Sequence, residues 1–175
     1  MSKSNGMRPH DIPVLVYITL YCDGDFKVQD LSNALFISIS EISNSLKRSR
    51  LARLISPKKK VYRNALFDFV VTGLKYVYPV EPSGIVQGIG TSHSANPLKT
   101  EIISNDEQYV WNTIEGDMKG MAVAPLYPNL VKVALKNAEF YEFFSLVDAL
   151  RIGRMRESNI AKEHIRRMLE IHENT

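Results

Sequence analysis

Two short apolar stripes, separated by a three-residue gap, constrain this 175-residue chain more than any other feature. Val28, Leu31 and Leu35 recur at spacings of three and four, the pattern of one helix face over residues 27–35. The period breaks at Phe36-Ile37-Ser38 and then restarts. Ser38 is placed as an N-cap with Glu41 three residues on to reach back to it, and this capping box opens a helix through Ile42 and Leu46 as far as Arg53. Two helices joined so closely, the second strongly capped, predict a helix-turn-helix.

The flanking segments extend that unit. A first helix follows Pro9 through Ile12, Leu15, Val16 and Thr19 to a stop at Asp23-Gly24. Ser56-Pro57 ends the third helix, and Lys58-Lys59-Lys60 leads into Val61-Tyr62 as a short basic hairpin, or wing. Asn64 can cap a fourth helix with a stripe of Leu66, Phe67, Val70, Val71 and Leu74, ending at Tyr78-Pro79. Residues 1–78 are therefore expected to form one unit.

Charge singles out the same stretch. The chain carries 22 Lys and Arg against 19 Asp and Glu, a net charge of +3. Between Leu46 and Arg63 stand eight bases and no acid; removing those eight leaves 14 against 19, so the rest is at −5. A basic segment on an otherwise acidic protein is how a polyanion-binding surface looks in sequence.

The run from Asp30 to Arg48 resembles the helix-turn-helix core of bacterial winged-helix transcriptional regulators. Ser32 stands where that family has a small residue, Leu31, Ile37, Ile42 and Leu46 where it has apolar ones, and Ser38 and Ser43 where it has serine. Two positions depart from it: Phe36 replaces the usual turn glycine and Ser45 a common apolar residue. A residue with a Cβ disfavours positive φ, so Phe36 argues against a tight left-handed turn. The resemblance covers roughly residues 9–78. It implies a recognition helix over residues 39–52 in the DNA major groove, with Ser40, Ser43, Asn44 and Lys47 on its outer face. Asn44 and Lys47 would read base edges, while Arg48, Arg50, Arg53, Lys58, Lys59, Lys60 and Arg63 would meet phosphates. With about six phosphates engaged, affinity falls on the order of a thousandfold between low and moderately high salt.

Residues 79–175 read as a different region. The proline-, glycine- and serine-rich stretch 79–97 predicts a long loop, and residues 108–124 a β-hairpin around Glu115-Gly116-Asp117. Helices follow over residues 129–136 and 138–152, the latter carrying Phe140, Phe143, Phe144, Val147 and Leu150 and stopping at Gly153. Ser158 caps a last helix through Ile160, Ile165, Met168 and Leu169. The expected fold class is mainly α with a small β wing: an N-terminal winged helix-turn-helix and a C-terminal helical region with a β-hairpin.

Other candidate chemistry is sparse. The segment 84–94 offers glycines, hydroxyls and His93 that could cradle an anion or pair a nucleophile with a base, but it lacks the lysine of a phosphate loop. It reads as a surface loop packed on the first unit, with a ligand or partner site as the alternative. His10, His93, His164 and His172 have no metal-ligand spacing, so no metal or other cofactor is expected. Arg151, Arg154 and Arg156 form a second basic cluster. There, an Asp148–Arg151 pair reads as a local helix contact worth a few tenths of a kcal/mol, and further phosphate contacts or a partner surface are the alternative uses of the cluster. Nothing points to an enzyme.

Cys22 is the single cysteine, which excludes an intrachain disulfide and fits a reducing cytoplasm. No signal peptide is visible in MSKSNGMRPHD, and no apolar run reaches membrane-spanning length, so neither export nor a membrane is expected. The sequence thus predicts a regulator that binds double-stranded DNA as a homodimer, with residues 79–175 for dimerisation and for sensing a protein or small ligand. The Phe140–Val147 stripe is the candidate dimer face. The alternative is a protein-interaction module on a winged-helix scaffold, such as the regulatory or antitoxin partner of another protein.

Overall fold

The computed structural model describes residues 6–22, 24–103 and 107–171. Residues 1–5, the expected helix stop at Asp23, and His172 lie outside the described residues. The fold is mixed α/β, mostly helical, with one small three-stranded sheet.

Helix α1 (Asp11–Tyr21) buries Ile12, Val14, Leu15, Val16 and Ile18, so it is apolar on nearly every side and runs through the core. Helices α2 (Val28–Leu35) and α3 (Ile39–Leu51) lie where the two stripes put them. Ser38 caps α3, accepting the Glu41 backbone N–H at 3.3 Å. The other half of the capping box is absent: the Glu41 carboxylate turns to Arg48 and His10 instead. The join itself is left-handed after all, with Phe36 at φ 54°, ψ 41°. The backbone there is held from outside, by the Tyr127 hydroxyl on the Leu35 carbonyl and the Asn129 amide on the Phe36 carbonyl, each at 3.1 Å.

The end of α3 repeats the device. Arg53 adopts φ 59°, the Leu54 N–H reaches the Ser49 carbonyl and the Arg53 N–H reaches the Arg50 carbonyl. That is a Schellman stop with arginine where glycine is usual, closed by buried Leu54. The basic turn that follows is one antiparallel bridge wide, Ile55 to Val61, with Ser56 and Lys60 exchanging hydrogen bonds across it. Helix α4 (Arg63–Asp68) runs through a π-helical turn (Phe69–Gly73) into α5 (Leu74–Val77). Asn64 is not its cap; it lies inside the first turn, after Tyr62.

The second half departs most from expectation. The predicted loop 79–97 contains β1 (Ile85–Gly90) and a 3-10 turn (Ser92–Ser94). β1 pairs antiparallel with both β2 (Tyr109–Asn112) and β3 (Met118–Ala122), with Ile89 opposite Trp111 and Val86 opposite Gly120. β2 and β3 are parallel to each other, so residues 108–124 are not a hairpin and the three strands close on themselves. Glycine makes the closure possible: a Cβ on Gly88 would sit 2.0 Å from the Trp111 carbonyl oxygen, and one on Gly116 equally close to Gly88. The glycines that suggest a loop are thus the ones the strands need.

After α6 (Leu98–Glu101) and α7 (Leu130–Ala134), α8 (Ala138–Ile152) passes through the centre of the molecule. Phe140, Phe143, Phe144 and Val147 are all buried, so this stripe is core and not a face open to a second copy. Gly153 ends α8 in extended backbone. Helix α9 (Met155–Met168) starts with Glu157 reaching back to the Arg154 N–H; Ser158 is not its cap and donates to the Ala149 carbonyl at 3.3 Å. One apolar core includes Ile12 and Leu46 as well as Phe144 and Leu169. Among the described residues, no helix is long and apolar enough to cross a membrane.

Candidate nucleic-acid interface

Ile42 and Leu46 fix the orientation of α3 by turning into the core, and that choice determines what its other side presents. Ser40, Asn44, Lys47 and Leu51 fall at spacings of four, three and four, and all are exposed, so they form one outward stripe along the helix. Ser43 is half-buried beside it. Ser45, at the position where the resembled family is commonly apolar, is fully buried with an unpartnered hydroxyl, as is Ser49.

The eight bases separate into two groups. Lys47, Arg50, Arg53, Lys58 and Lys60 are exposed. The other three also bond within the protein, and for Arg48, which is buried, the expected phosphate contact must be revised.

Arg48 is the clearest correction. Its guanidinium forks onto Asp11, Nε to Oδ2 at 2.8 Å and Nη2 to Oδ1 at 2.7 Å, and Nη2 also donates to Glu41 Oε1 at 2.7 Å. Asp11 is fully buried and the Arg48 side chain nearly so. The hydrogen bonds it donates to Asp11 raise the Arg48 pKa further above its already high value, outweighing burial. Burial pushes the Glu41 carboxyl up, but hydrogen bonds and charge from Arg48 and His10 prevail and hold it below the ordinary value. His10 Nε2 lies 2.8 Å from Glu41 Oε1. Arg48 therefore locks α3 to the start of α1 and is not on the outer face.

Lys59 and Arg63 are half-buried. Lys59 donates to the Phe26 carbonyl at 3.0 Å and lies over the Phe26 ring, which holds the basic turn against the body. Arg63 donates to the Leu169 carbonyl and to the Glu170 carboxylate, tying α4 to the end of α9.

The second basic cluster also changes character. Asp148 and Arg151 are not a local surface pair: their side chains are only 3% and 4% exposed. Asp148 accepts from Trp111 Nε1 at 2.7 Å, Thr91 Oγ1 at 2.8 Å and Arg151 Nη1 at 3.0 Å. Arg151 Nε donates to the Tyr78 carbonyl at 3.0 Å. Burial pushes the Asp148 carboxyl up against the pull of Arg151 and of the two neutral donors. Arg154 and Arg156 are exposed.

Much of the polar chemistry of segment 84–94 is turned to internal partners, though the Ser92 hydroxyl and His93 Nδ1 have none among the described residues. Thr91 bonds Asp148, the Ser94 hydroxyl accepts the Tyr109 N–H at 2.8 Å, and His93 is buried with Nε2 near the Glu107 carbonyl and its ring edge-on to Tyr109. Among the described residues, no three His, Cys, Asp or Glu side chains gather as metal ligands. His164 is paired with Glu101.

Sequence reasoning missed Lys132 and Lys136, whose ammonium groups stand over the Phe36 ring beside the start of α3. Their spacing of four, one helix face, was the available signal. Comparison of the chain with protein-family models, curated proteins and solved structures finds no match.

Proposed function

We propose that this protein is a transcriptional regulator that binds double-stranded DNA in the manner of a winged helix-turn-helix. In this reading α3 enters the major groove, the basic turn over residues 56–60 is the wing, and the protein works as a homodimer in the cytoplasm. The observation that carries it is the uncovered stripe Ser40, Asn44, Lys47 and Leu51, flanked by exposed Arg50, Arg53, Lys58 and Lys60 on an otherwise acidic chain. Asn44 suits bidentate pairing with adenine and Lys47 suits guanine. Arg50, Arg53, Lys58 and Lys60 suit phosphates, which fix register.

Strained backbone at both ends of α3, Phe36 before it and Arg53 after it, supports the same assignment, since left-handed non-glycine residues gather at functional sites. With Lys47 given to a base edge, four exposed bases are left for phosphates, and the salt dependence is gentler than the raw charge count implies: a slope of about −3.6, or on the order of a hundredfold between about 50 and 200 mM salt. Titration of labelled duplexes at low salt tests the reading. Binding that Asn44→Ala leaves intact for random sequence, but makes less discriminating among selected fragments, is the expected outcome. No binding to any duplex ends it. That result would favour a protein-interaction module instead, which exposed Ile39 and Leu51 on the same helix would suit.

A further inference from the structure

The residue joining α2 to α3 is an aromatic in backbone geometry that favours glycine, and as a residue it is 42% exposed. What meets that ring comes from the other half of the chain. Lys132 Nζ lies 5.9 Å and Lys136 Nζ 5.1 Å from the Phe36 ring centre, while Tyr127 and Asn129 hold the carbonyls of Leu35 and Phe36. Both lysines are exposed, and neither has an acidic partner among the described residues. Two cations are therefore held over a ring three residues before Ile39, at the end of α3 that carries the positive pole of its dipole.

We propose that residues 127–136 are part of the DNA interface, with Lys132 and Lys136 binding a backbone phosphate beside the entry of α3 into the groove. The inference rests on the DNA-binding reading above and deepens it. Geometry favours a duplex as the occupant. Lys58 and Lys60 follow the C-terminal end of α3, and Lys132 and Lys136 stand at its N-terminal end. The 13 residues between are about 20 Å long, enough to reach the two phosphate backbones that border a major groove about 12 Å wide. The exposed bases of α3, Lys47 and Arg50, lie in its C-terminal half, so Lys132 and Lys136 would add a cationic clamp at the end whose own first turns carry none, and recognition helix, wing and second clamp would hold one DNA segment. Phe36 acts as a positioning residue, keeping both ammonium groups at the groove edge.

The test uses the full chain and a labelled random-sequence duplex of about 30 base pairs, titrated between about 50 and 200 mM salt. Lys132→Ala with Lys136→Ala is expected to lower the salt slope by about 2, which makes the loss of affinity across that range roughly tenfold smaller than for the parent and weakens binding at the low-salt end. Phe36→Leu, which keeps both charges, is expected to weaken binding a few-fold with the slope unchanged. Parental affinity and slope in the double lysine variant, while Lys58→Ala with Lys60→Ala lowers both, overturns the inference and leaves the DNA-binding reading standing. A weakened double variant with an unchanged slope also overturns it, because the lysines would then be shaping the turn. Failure of the parent to bind the duplex at low salt removes both proposals.

Discussion

Each half of the protein buries an arginine against an aspartate, and the two networks behave differently. Arg48 and Asp11 sit at the edge of the helical N-terminal region, where Glu41 and His10 complete the cluster and keep one side of it near solvent. The side chains of Asp148 and Arg151 are almost wholly buried, and beyond each other they bond Trp111, Thr91 and the Tyr78 and Ala124 carbonyls. The first network fixes one helix relative to another. The second gathers the end of α5, the turn after β1, β2 and α8 around a single carboxylate. Their carboxyl groups are also tuned in opposite directions, Glu41 downward by its cations and Asp148 upward by burial. A buried ion pair is thus no single kind of interaction. Its consequence depends on how much water it has lost and how many elements meet at it.

The largest expected effect follows from breaking the network around Asp148. Asp148→Ala leaves the Trp111 N–H and the Thr91 hydroxyl without their acceptor and the Arg151 charge without its counter-ion, with only the Tyr78 and Ala124 carbonyls still accepting from it, and a loss of about 3–5 kcal/mol in a urea titration is expected. Arg48→Ala removes the counter-ion of fully buried Asp11 and should cost about 3 kcal/mol, somewhat less because Asp11 keeps the Arg8 backbone N–H as a donor and Glu41 keeps His10 as a partner. If Arg48 were a phosphate contact, the same variant would lower the salt slope of DNA binding and leave the urea midpoint alone.

Acid separates the two networks by sign. The folded pKa of Glu41 is lowered, so its contribution is present above the ordinary glutamate value of about 4.3 and is lost as pH falls through the folded value. The folded pKa of Asp148 is raised, so its ionised form costs stability above that folded value, and the cost is relieved as pH falls towards the ordinary aspartate value of about 3.9. Urea midpoints measured stepwise from neutral pH downward should fall less steeply at the acid end in Glu41→Gln. In Asp148→Asn the opposing, stabilising slope should disappear. The smallest effect is at Ser45, one turn before Arg48, a buried hydroxyl that belongs to no network. Ser45→Ala should raise stability by up to about 1 kcal/mol by removing an unsatisfied buried group and improving helix propensity; a loss of stability would mean that the hydroxyl has a bonding role.

Local signals were legible in the sequence, and long-range ones were not. The Ser38 cap, the stripes of α2 and α3 and the span of α8 all follow from periods and caps within a few residues of each other. The burial of Arg48 depends on Asp11, 37 positions away, and a count of charges along the chain carries no such information. The sheet was hidden for a related reason. Gly88, Gly90, Gly116 and Gly120 weaken any strand signal, yet each stands where another backbone passes too close for a Cβ. At Phe36 the argument from local sterics was sound, but Asn129 and Tyr127 override it from the far half of the chain. Among the outward-facing residues, Ser40, Asn44 and Lys47 were found from the helix period alone, because a face that meets nothing needs no distant partner to define it.

The single core also has a practical consequence for dissecting the protein. A fragment ending near Pro79 would carry α1 to α5, yet it would lose Phe140 and Phe144 from the shared core, the donors to Leu35 and Phe36, and the guanidinium on the Tyr78 carbonyl. Such a fragment would present freshly uncovered apolar surface and a slack join before α3. Binding assays on the excised piece would then report a sticky, loosened helix pair, so the proposed DNA binding is to be tested on all 175 residues together.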